Sequence, residues 1–202
     1  MNRNNKFLRQ EEMLKAATSI FAKEDFHKVT MEEVAKKAGV GKGTIYRYYK
    51  NKEDLYFSII SRGLETLYRY ISRLVSREKD TLSKLRRVIF CALRFFELNK
   101  SFVKVFLQEE VKFKTMGYEE CKENLSKSID LVEELILKGQ EEGVLKEINV
   151  SQAASLLIGM AKELFLREIE APSKLGLSKN VELISEIFFF GVAREIPESS
   201  YI

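Results

Sequence analysis

The sequence predicts an all-α protein in which a small N-terminal domain precedes a larger helical body. Apolar residues recur at spacings of three and four along most of the chain, and no segment alternates apolar and polar residues as a strand would. The 202 residues include only two prolines and ten glycines, a composition that favours long helices with short connections. We expect an N-terminal domain of three helices over residues 1–52 and a second helical domain over residues 53–202.

The first two helices are predicted from one apolar face and one capping signal. Leu14, Ala17 and Phe21 lie on one side of the first helix. Thr30 stands in the N-cap position of the second helix, and Glu33, three residues later, completes a capping box with it. The start of the second helix is therefore predicted to the residue.

A tight turn and a short third helix follow. Gly39 supplies the left-handed backbone that a sharp turn between helices needs, and the third helix begins near Gly41. Its apolar residues Ile45 and Tyr49 are four apart and point inward. The residues that turn outward are Lys42, Thr44, Arg47 and Tyr48. Two short helices around a turn, the second with a polar and basic surface, are how a helix-turn-helix reads double-stranded DNA.

The body is predicted to contain one long linking helix and several further helices. Asn51 is a good N-cap for the linking helix, and Glu53 and Asp54 place negative charge in its first turn, where the helix dipole favours it. Its apolar residues are Leu55, Ile59, Leu64, Leu67, Ile71 and Leu74. The remaining helices are expected near residues 79–97, 100–114, 118–142, 151–170 and 178–195.

A block of residues around the predicted turn follows a family pattern. Its members are Thr30, Val34, Ala35, Ala38, Gly39, Val40, Gly43, Ile45, Tyr46, Tyr48, Tyr49, Lys52 and Leu55. In these residues the chain resembles the DNA-binding domain of TetR-type transcriptional repressors, and with the preceding helix the similarity covers residues 7–57. Three positions depart from the family pattern: Gly41 replaces a capping Ser or Thr, Asp25 replaces a turn glycine, and Tyr48 stands where His is common.

The resemblance implies two sets of DNA contacts. The implied phosphate contacts are Thr30, Tyr46, Tyr48 and Lys52, and the implied major-groove residues are Lys42, Gly43, Thr44 and Arg47. Lys and Arg pair with guanine, so Lys42 and Arg47 are the candidates for sequence specificity. The alternative is that these basic residues form an ordinary solvated surface.

The charge distribution agrees with a DNA-binding N-terminal domain. Residues 1–56 carry 12 basic and 8 acidic side chains, whereas the rest of the chain carries 22 of each. All of the formal net charge of +4 therefore lies in the N-terminal part. An excess this small supports the motif but could not establish a nucleic-acid partner by itself.

The body is expected to bind a hydrophobic small-molecule effector. Its middle segment is rich in phenylalanine, and bodies of this family commonly enclose an apolar pocket. The candidate pocket residues are Leu64, Leu67, Tyr68, Phe90, Phe96, Phe102, Phe106 and Phe113. The alternative for each phenylalanine is ordinary core packing, which is the commoner role of aromatic residues at helical spacing. A fatty acyl compound or a lipophilic drug is favoured as the effector.

The last two helices are expected to form a homodimer interface. The candidate interface residues are Ala154, Leu157, Ala161, Phe165, Ile184, Phe188 and Gly191. The final helix also has a second apolar face made by Leu183, Ile187 and Phe190. A helix that is apolar on two sides must be covered on both, and a two-fold bundle would do this. The alternative is that both faces are covered within one chain.

Other classes of protein fit the sequence less well. His27 is the only histidine, so a catalytic serine-histidine pair or a multi-histidine metal site cannot easily form, and we predict no catalytic residues, metal or cofactor. The two cysteines are unclustered, the N-terminus is polar, and no apolar run could span a membrane, so a reduced cytoplasmic protein is expected.

The sequence as a whole therefore predicts a homodimeric repressor that binds palindromic operator DNA and is released by its effector. The choice of repressor over activator follows from the family resemblance alone. The alternative is a helical ligand-binding or adaptor protein of the same fold without specific DNA binding.

Overall fold

The structure is a computed structural model, and it describes residues 3–108, 118–170 and 176–192. Within these ranges the regular structure is entirely helical, so the all-α prediction is confirmed. The helices are α1 (Arg3–Phe21), α2 (Met31–Lys37), α3 (Lys42–Tyr48), α4 (Lys52–Val75), α5 (Thr81–Leu98), α6 (Lys100–Gln108), α7 (Glu119–Glu141), α8 (Val150–Glu170) and α9 (Gly176–Val192). In the described part of the chain, no helix is long and apolar enough to cross a lipid bilayer.

The described residues fall into two compact units. The first unit is drawn from Met1–Glu65 and Asn99–Asn124, and the second from Thr66–Leu98 and Leu125–Ile202. The first unit therefore contains α1, α2, α3, α6 and the N-terminal parts of α4 and α7. These units describe packing, and the predicted functional division at residue 52 stays a prediction.

An aromatic and aliphatic core holds the first unit together. Phe21 of α1 is fully buried and meets the ring of Tyr56 from α4 edge-on, with ring centroids 5.0 Å apart. The Tyr56 hydroxyl donates to the backbone oxygen of Val105 at 2.7 Å, which ties α4 to α6. A buried tyrosine that satisfies its hydroxyl in this way supplies apolar area without leaving a polar group unpaired.

A glycine lets α4 and α6 approach closely. A Cβ atom added to Gly63 would lie 1.9 to 2.4 Å from three atoms of the Phe102 ring, which is itself only 8% exposed. Real Cβ atoms do not reach such distances, so Phe102 occupies the space that any other residue at position 63 would need. The pair fixes the separation of the two helices in the first unit.

The second unit is built around α5. This helix packs against α8 and α9 and buries Leu85, Ile89 and Cys91. Phe96 of α5 contacts Phe165 of α8 with ring centroids 5.2 Å apart. The unit therefore has an apolar core of its own, as a separately packed body requires.

The two cysteines are buried and unpaired with each other. Cys91 and Cys121 are free thiols, and burial raises the pKa of each to about 11. A thiol with such a pKa is almost entirely protonated at neutral pH, so neither residue has the character of a reactive nucleophile.

The contact between Gly63 and Phe102 yields a test of the packing in the first unit. We expect Gly63→Ala to lower the free energy of unfolding by about 1 to 3 kcal/mol, because the new methyl group must displace a buried ring. The measurement is thermal and denaturant unfolding followed by circular dichroism.

The matched control is Gly43→Ala, at a helical glycine of the same unit with open space around it. Alanine is the better helix former, so this variant is expected to be neutral or slightly stabilised. Equal unfolding midpoints for Gly63→Ala and the parent would contradict the described approach of α4 and α6.

Candidate nucleic-acid interface

The N-terminus of α2 is fixed by a reciprocal capping box. The Thr30 hydroxyl accepts from the Glu33 amide at 3.2 Å, and the Thr30 amide donates to Glu33 Oε2 at 2.8 Å. The pKa of the Glu33 carboxyl is lowered chiefly because this Thr30 amide donates to it. The cap is therefore complete at neutral pH and weakens only when acid protonates the carboxylate. The predicted start of the second helix is confirmed.

The turn and the third helix also follow the predicted geometry. Gly39 has a φ of 66°, in the left-handed region that favours glycine. Helix α3 begins after Gly41, which caps it without a side-chain hydrogen bond. Ile45 is 0% exposed and Tyr49 2% exposed, so both residues face the core as predicted. Their burial holds α3 against the rest of the first unit.

The outer face of α3 is polar, basic and accessible. Lys42, Gly43, Tyr46 and Arg47 are exposed, and Thr44 is half-buried. Tyr46 is 42% exposed, so part of its ring is open to solvent. All five residues were assigned to DNA contacts by the family resemblance, and the structure brings them to one surface of the first unit.

An acidic residue of α2 shares this surface with Lys42. Glu32 Oε1 lies 2.5 Å from Lys42 Nζ, and both side chains are largely exposed. The hydrogen bond from Lys42 lowers the pKa of Glu32, and the same bond raises the pKa of Lys42. Sequence reasoning placed Lys42 in the groove but missed Glu32, although its place in the first turn of α2 is visible in the sequence.

Three of the four implied phosphate contacts have their polar atoms engaged or covered within the chain. The Thr30 hydroxyl donates to Glu33 Oε2 at 2.9 Å. The Tyr48 hydroxyl is buried and has no hydrogen-bond partner among the described residues. The Lys52 ammonium donates to backbone oxygens of the loop between α1 and α2. Of the four residues, Thr30 and Tyr46 are exposed, and all four phosphate roles stay predictions.

The candidate effector residues are divided between the two units. Leu64, Phe102 and Phe106 belong to the first unit, whereas Leu67, Tyr68, Phe90 and Phe96 belong to the second. Leu64, Leu67 and Phe102 are buried, and the other four are half-buried. Phe113 lies outside the described residues. A pocket formed by these side chains stays a prediction.

Most of the candidate interface residues face the core of the second unit instead of solvent. Ala154, Leu157, Ala161, Phe165, Ile184 and Phe188 are each at most 5% exposed. They can offer little surface to a second copy of the chain, because packing against neighbouring helices of the same unit already covers them. Of the seven candidates, only Gly191 is exposed.

The apolar surface open to a partner lies on the other face of the same two helices. Leu156 of α8 is 67% exposed, and Leu183, Ile187 and Phe190 of α9 are 43%, 57% and 54% exposed. A groove between the helices is lined by Leu156, Gly159, Met160, Leu183 and Ile187, among others. This apolar groove is called the α8–α9 face below, and the predicted interface residues stay a prediction.

Comparison with known proteins places this architecture in a family. Residues 13–59 match the family described as bacterial regulatory proteins, tetR family, and residues 78–165 match the tetracyclin repressor-like C-terminal domain. An uncharacterized HTH-type transcriptional regulator of Bacillus subtilis, YhgD, is 29% identical over 151 residues, covering 74% of this chain and 78% of that protein.

Two solved structures share the fold. A TetR family transcription regulator from Marinobacter aquaeolei has a TM-score of 0.82 at 20% identity, covering 96% of this chain and 100% of that one. The transcriptional regulator FadR from Bacillus subtilis, in complex with stearoyl-CoA, has a TM-score of 0.79 at 22% identity, covering 90% and 98%. Because the N-terminal and the C-terminal family models both match, the chain belongs to the TetR family of bacterial transcriptional regulators.

Proposed function

We propose that the chain is a homodimeric repressor that binds a palindromic operator through α3 and is released by a hydrophobic effector. The observation that carries the proposal is the exposed basic face of α3, held by the buried residues Ile45 and Tyr49. In this proposal Lys42, Gly43, Thr44 and Arg47 enter the major groove, and Tyr46 donates to a phosphate.

The proposed dimer uses the α8–α9 face. Large apolar side chains that are about half exposed are costly in water, and a second copy would remove them from it. A two-fold arrangement brings the same face of each chain together, so Ile187 of one copy lies near the α8–α9 face of the other. Two recognition helices related by the same axis would read a palindromic site.

The proposed effector is a long-chain fatty acyl compound. The phenylalanine-rich body supports an apolar ligand, and the related FadR of Bacillus subtilis was solved with stearoyl-CoA. No enzymatic role is proposed, since the relatives described above are named as transcriptional regulators.

The test of the proposed function is selection of bound fragments from random duplex DNA at near-physiological salt. We expect the parent to recover a palindromic motif, whereas a Lys42→Ala, Tyr46→Ala double variant recovers none. Stearoyl-CoA is expected to release the selected DNA, and free coenzyme A is the control. Selection of no motif by the ligand-free parent would favour a protein of this fold without specific DNA binding.

The pair between Glu32 and Lys42 predicts that the acidic partner restrains DNA binding. Removing its charge in Glu32→Gln frees the Lys42 ammonium and adds one net positive charge to the interface. We expect affinity for non-specific duplex DNA to rise about two- to tenfold at low salt, with a steeper salt dependence. Fluorescence anisotropy titrations over a range of salt concentrations measure both quantities.

The matched control is Glu12→Gln, which removes the same charge from an exposed position on α1. It is expected to change affinity much less than Glu32→Gln does. Weaker binding of the selected operator by Glu32→Gln would instead mean that the carboxylate contacts the DNA, and would contradict a restraining role.

The α8–α9 face predicts which substitutions break the dimer. A charge introduced by Ile187→Asp would be buried at the two-fold interface, so the variant is expected to be monomeric near the chain mass of 23.5 kDa. The parent is expected at twice that mass, measured by light scattering after size-exclusion chromatography.

Leu137→Asp is the control, because Leu137 is a 49% exposed apolar residue of α7 that does not line this groove. It should leave the dimer intact. A dimeric Ile187→Asp variant with an unchanged dissociation constant would place the interface elsewhere.

A further inference from the structure

The ammonium group of Lys52 lies among backbone carbonyl oxygens of the loop between α1 and α2. Its Nζ is 2.6 Å from the oxygen of Phe26, 2.9 Å from that of Val29 and 3.3 Å from that of His27. A lysine ammonium has three donors, so these three bonds use its whole capacity. While this arrangement holds, no N–H group of Lys52 is left for a phosphate.

The same ammonium is also tied to the aromatic core of the first unit. It lies over the Phe26 ring, 4.5 Å from the centroid. That ring stacks on Phe21 with centroids 5.8 Å apart and meets Tyr56 edge-on at 5.2 Å. A cation against an aromatic face and partly shielded from water is held more firmly than one on an open surface.

The position of Lys52 in the chain gives these bonds their importance. They join residues that are 23 to 26 positions apart, and the segment between them contains both α2 and α3. The loop ends at Thr30, the N-cap of α2, whereas Lys52 is the first residue of α4, which follows α3. One ammonium therefore holds together the two ends of the helix-turn-helix.

The start of α4 is itself capped by side-chain hydrogen bonds, which fix the backbone around Lys52. The Asp54 amide donates to Asn51 Oδ1 at 2.8 Å, and the Lys50 amide donates to Asp54 Oδ2 at 2.8 Å. This reciprocal pair satisfies donors at the helix N-terminus. The carbonyls that Lys52 binds are consequently positioned relative to α4.

We propose that Lys52 is a positioning residue, which places α2 and α3 through the carbonyls of Phe26, His27 and Val29 and does not hold a DNA phosphate. The inference deepens the proposed function, because the effect on DNA requires that α3 reads DNA. Its structural part concerns the DNA-free protein and is tested separately.

Three variants separate positioning from phosphate binding. Lys52→Arg keeps the positive charge, but a planar guanidinium cannot direct three donors to the three converging oxygens as an ammonium does. Lys52→Met keeps the length of the side chain and removes charge and donors. Lys50→Met is the matched control, since it removes the same charge from an exposed neighbouring residue.

In the absence of DNA, both Lys52 variants are expected to lower the thermal midpoint by about 3 °C or more. They should also reduce the hydrogen-exchange protection of α2 amides, whereas Lys50→Met leaves both quantities unchanged. With the selected operator, both Lys52 variants should bind about tenfold or more weakly, as expected for lost hydrogen bonds to a charged group. Their salt dependence should equal that of the parent.

A phosphate contact predicts the opposite pattern. In that case Lys52→Arg would bind like the parent, Lys52→Met would lower the salt slope by about one, and the DNA-free midpoint would not change. That pattern would overturn the proposal. If the parent selects no DNA, the proposed function fails, while the DNA-free midpoint and exchange still decide whether Lys52 positions the loop. If Lys52→Met does not fold, Lys52→Arg decides the question.

Discussion

A helix as short as α3 does not persist in water by itself, because nucleation costs more than so few backbone hydrogen bonds return. Its seven residues therefore depend on tertiary support, which the buried side chains of Ile45 and Tyr49 provide. Gly39 makes the turn that lets α2 pack against α3. Because two residues on one side carry the packing, the opposite side is free to be polar and basic. The exposed basic face of α3 follows from that division.

Lys42 is already paired with Glu32 in the free protein, and this pairing affects how DNA could be read. To contact a base, Lys42 must leave Glu32, so it exchanges one charge-assisted hydrogen bond for another. Guanine offers two acceptors in the major groove and compensates that exchange better than a site with fewer acceptors. In the proposed function, Glu32 therefore makes binding more selective and less tight.

The features that were predicted correctly are local in the sequence. Thr30, Gly39 and Asn51 act on backbone groups within a few residues of themselves, so spacing and residue type were sufficient. The partners of Lys52 lie on a loop more than twenty positions away, and no local pattern specifies which carbonyls converge there. A lysine at a family position was therefore given a surface role, although its ammonium binds the protein's own backbone.

The final helix shows why the sequence alone could not tell its core face from its exposed face. Both faces of α9 carry large apolar side chains, so hydrophobic periodicity could not decide which of them packs inside the chain. The structure decides it through α5 and α8, which pack against α9 while Ile184 and Phe188 are buried. Leu183, Ile187 and Phe190 are then left outside by the helical repeat itself. A partner of this unit must therefore bind a face that core packing leaves exposed, and the α8–α9 face is such a surface.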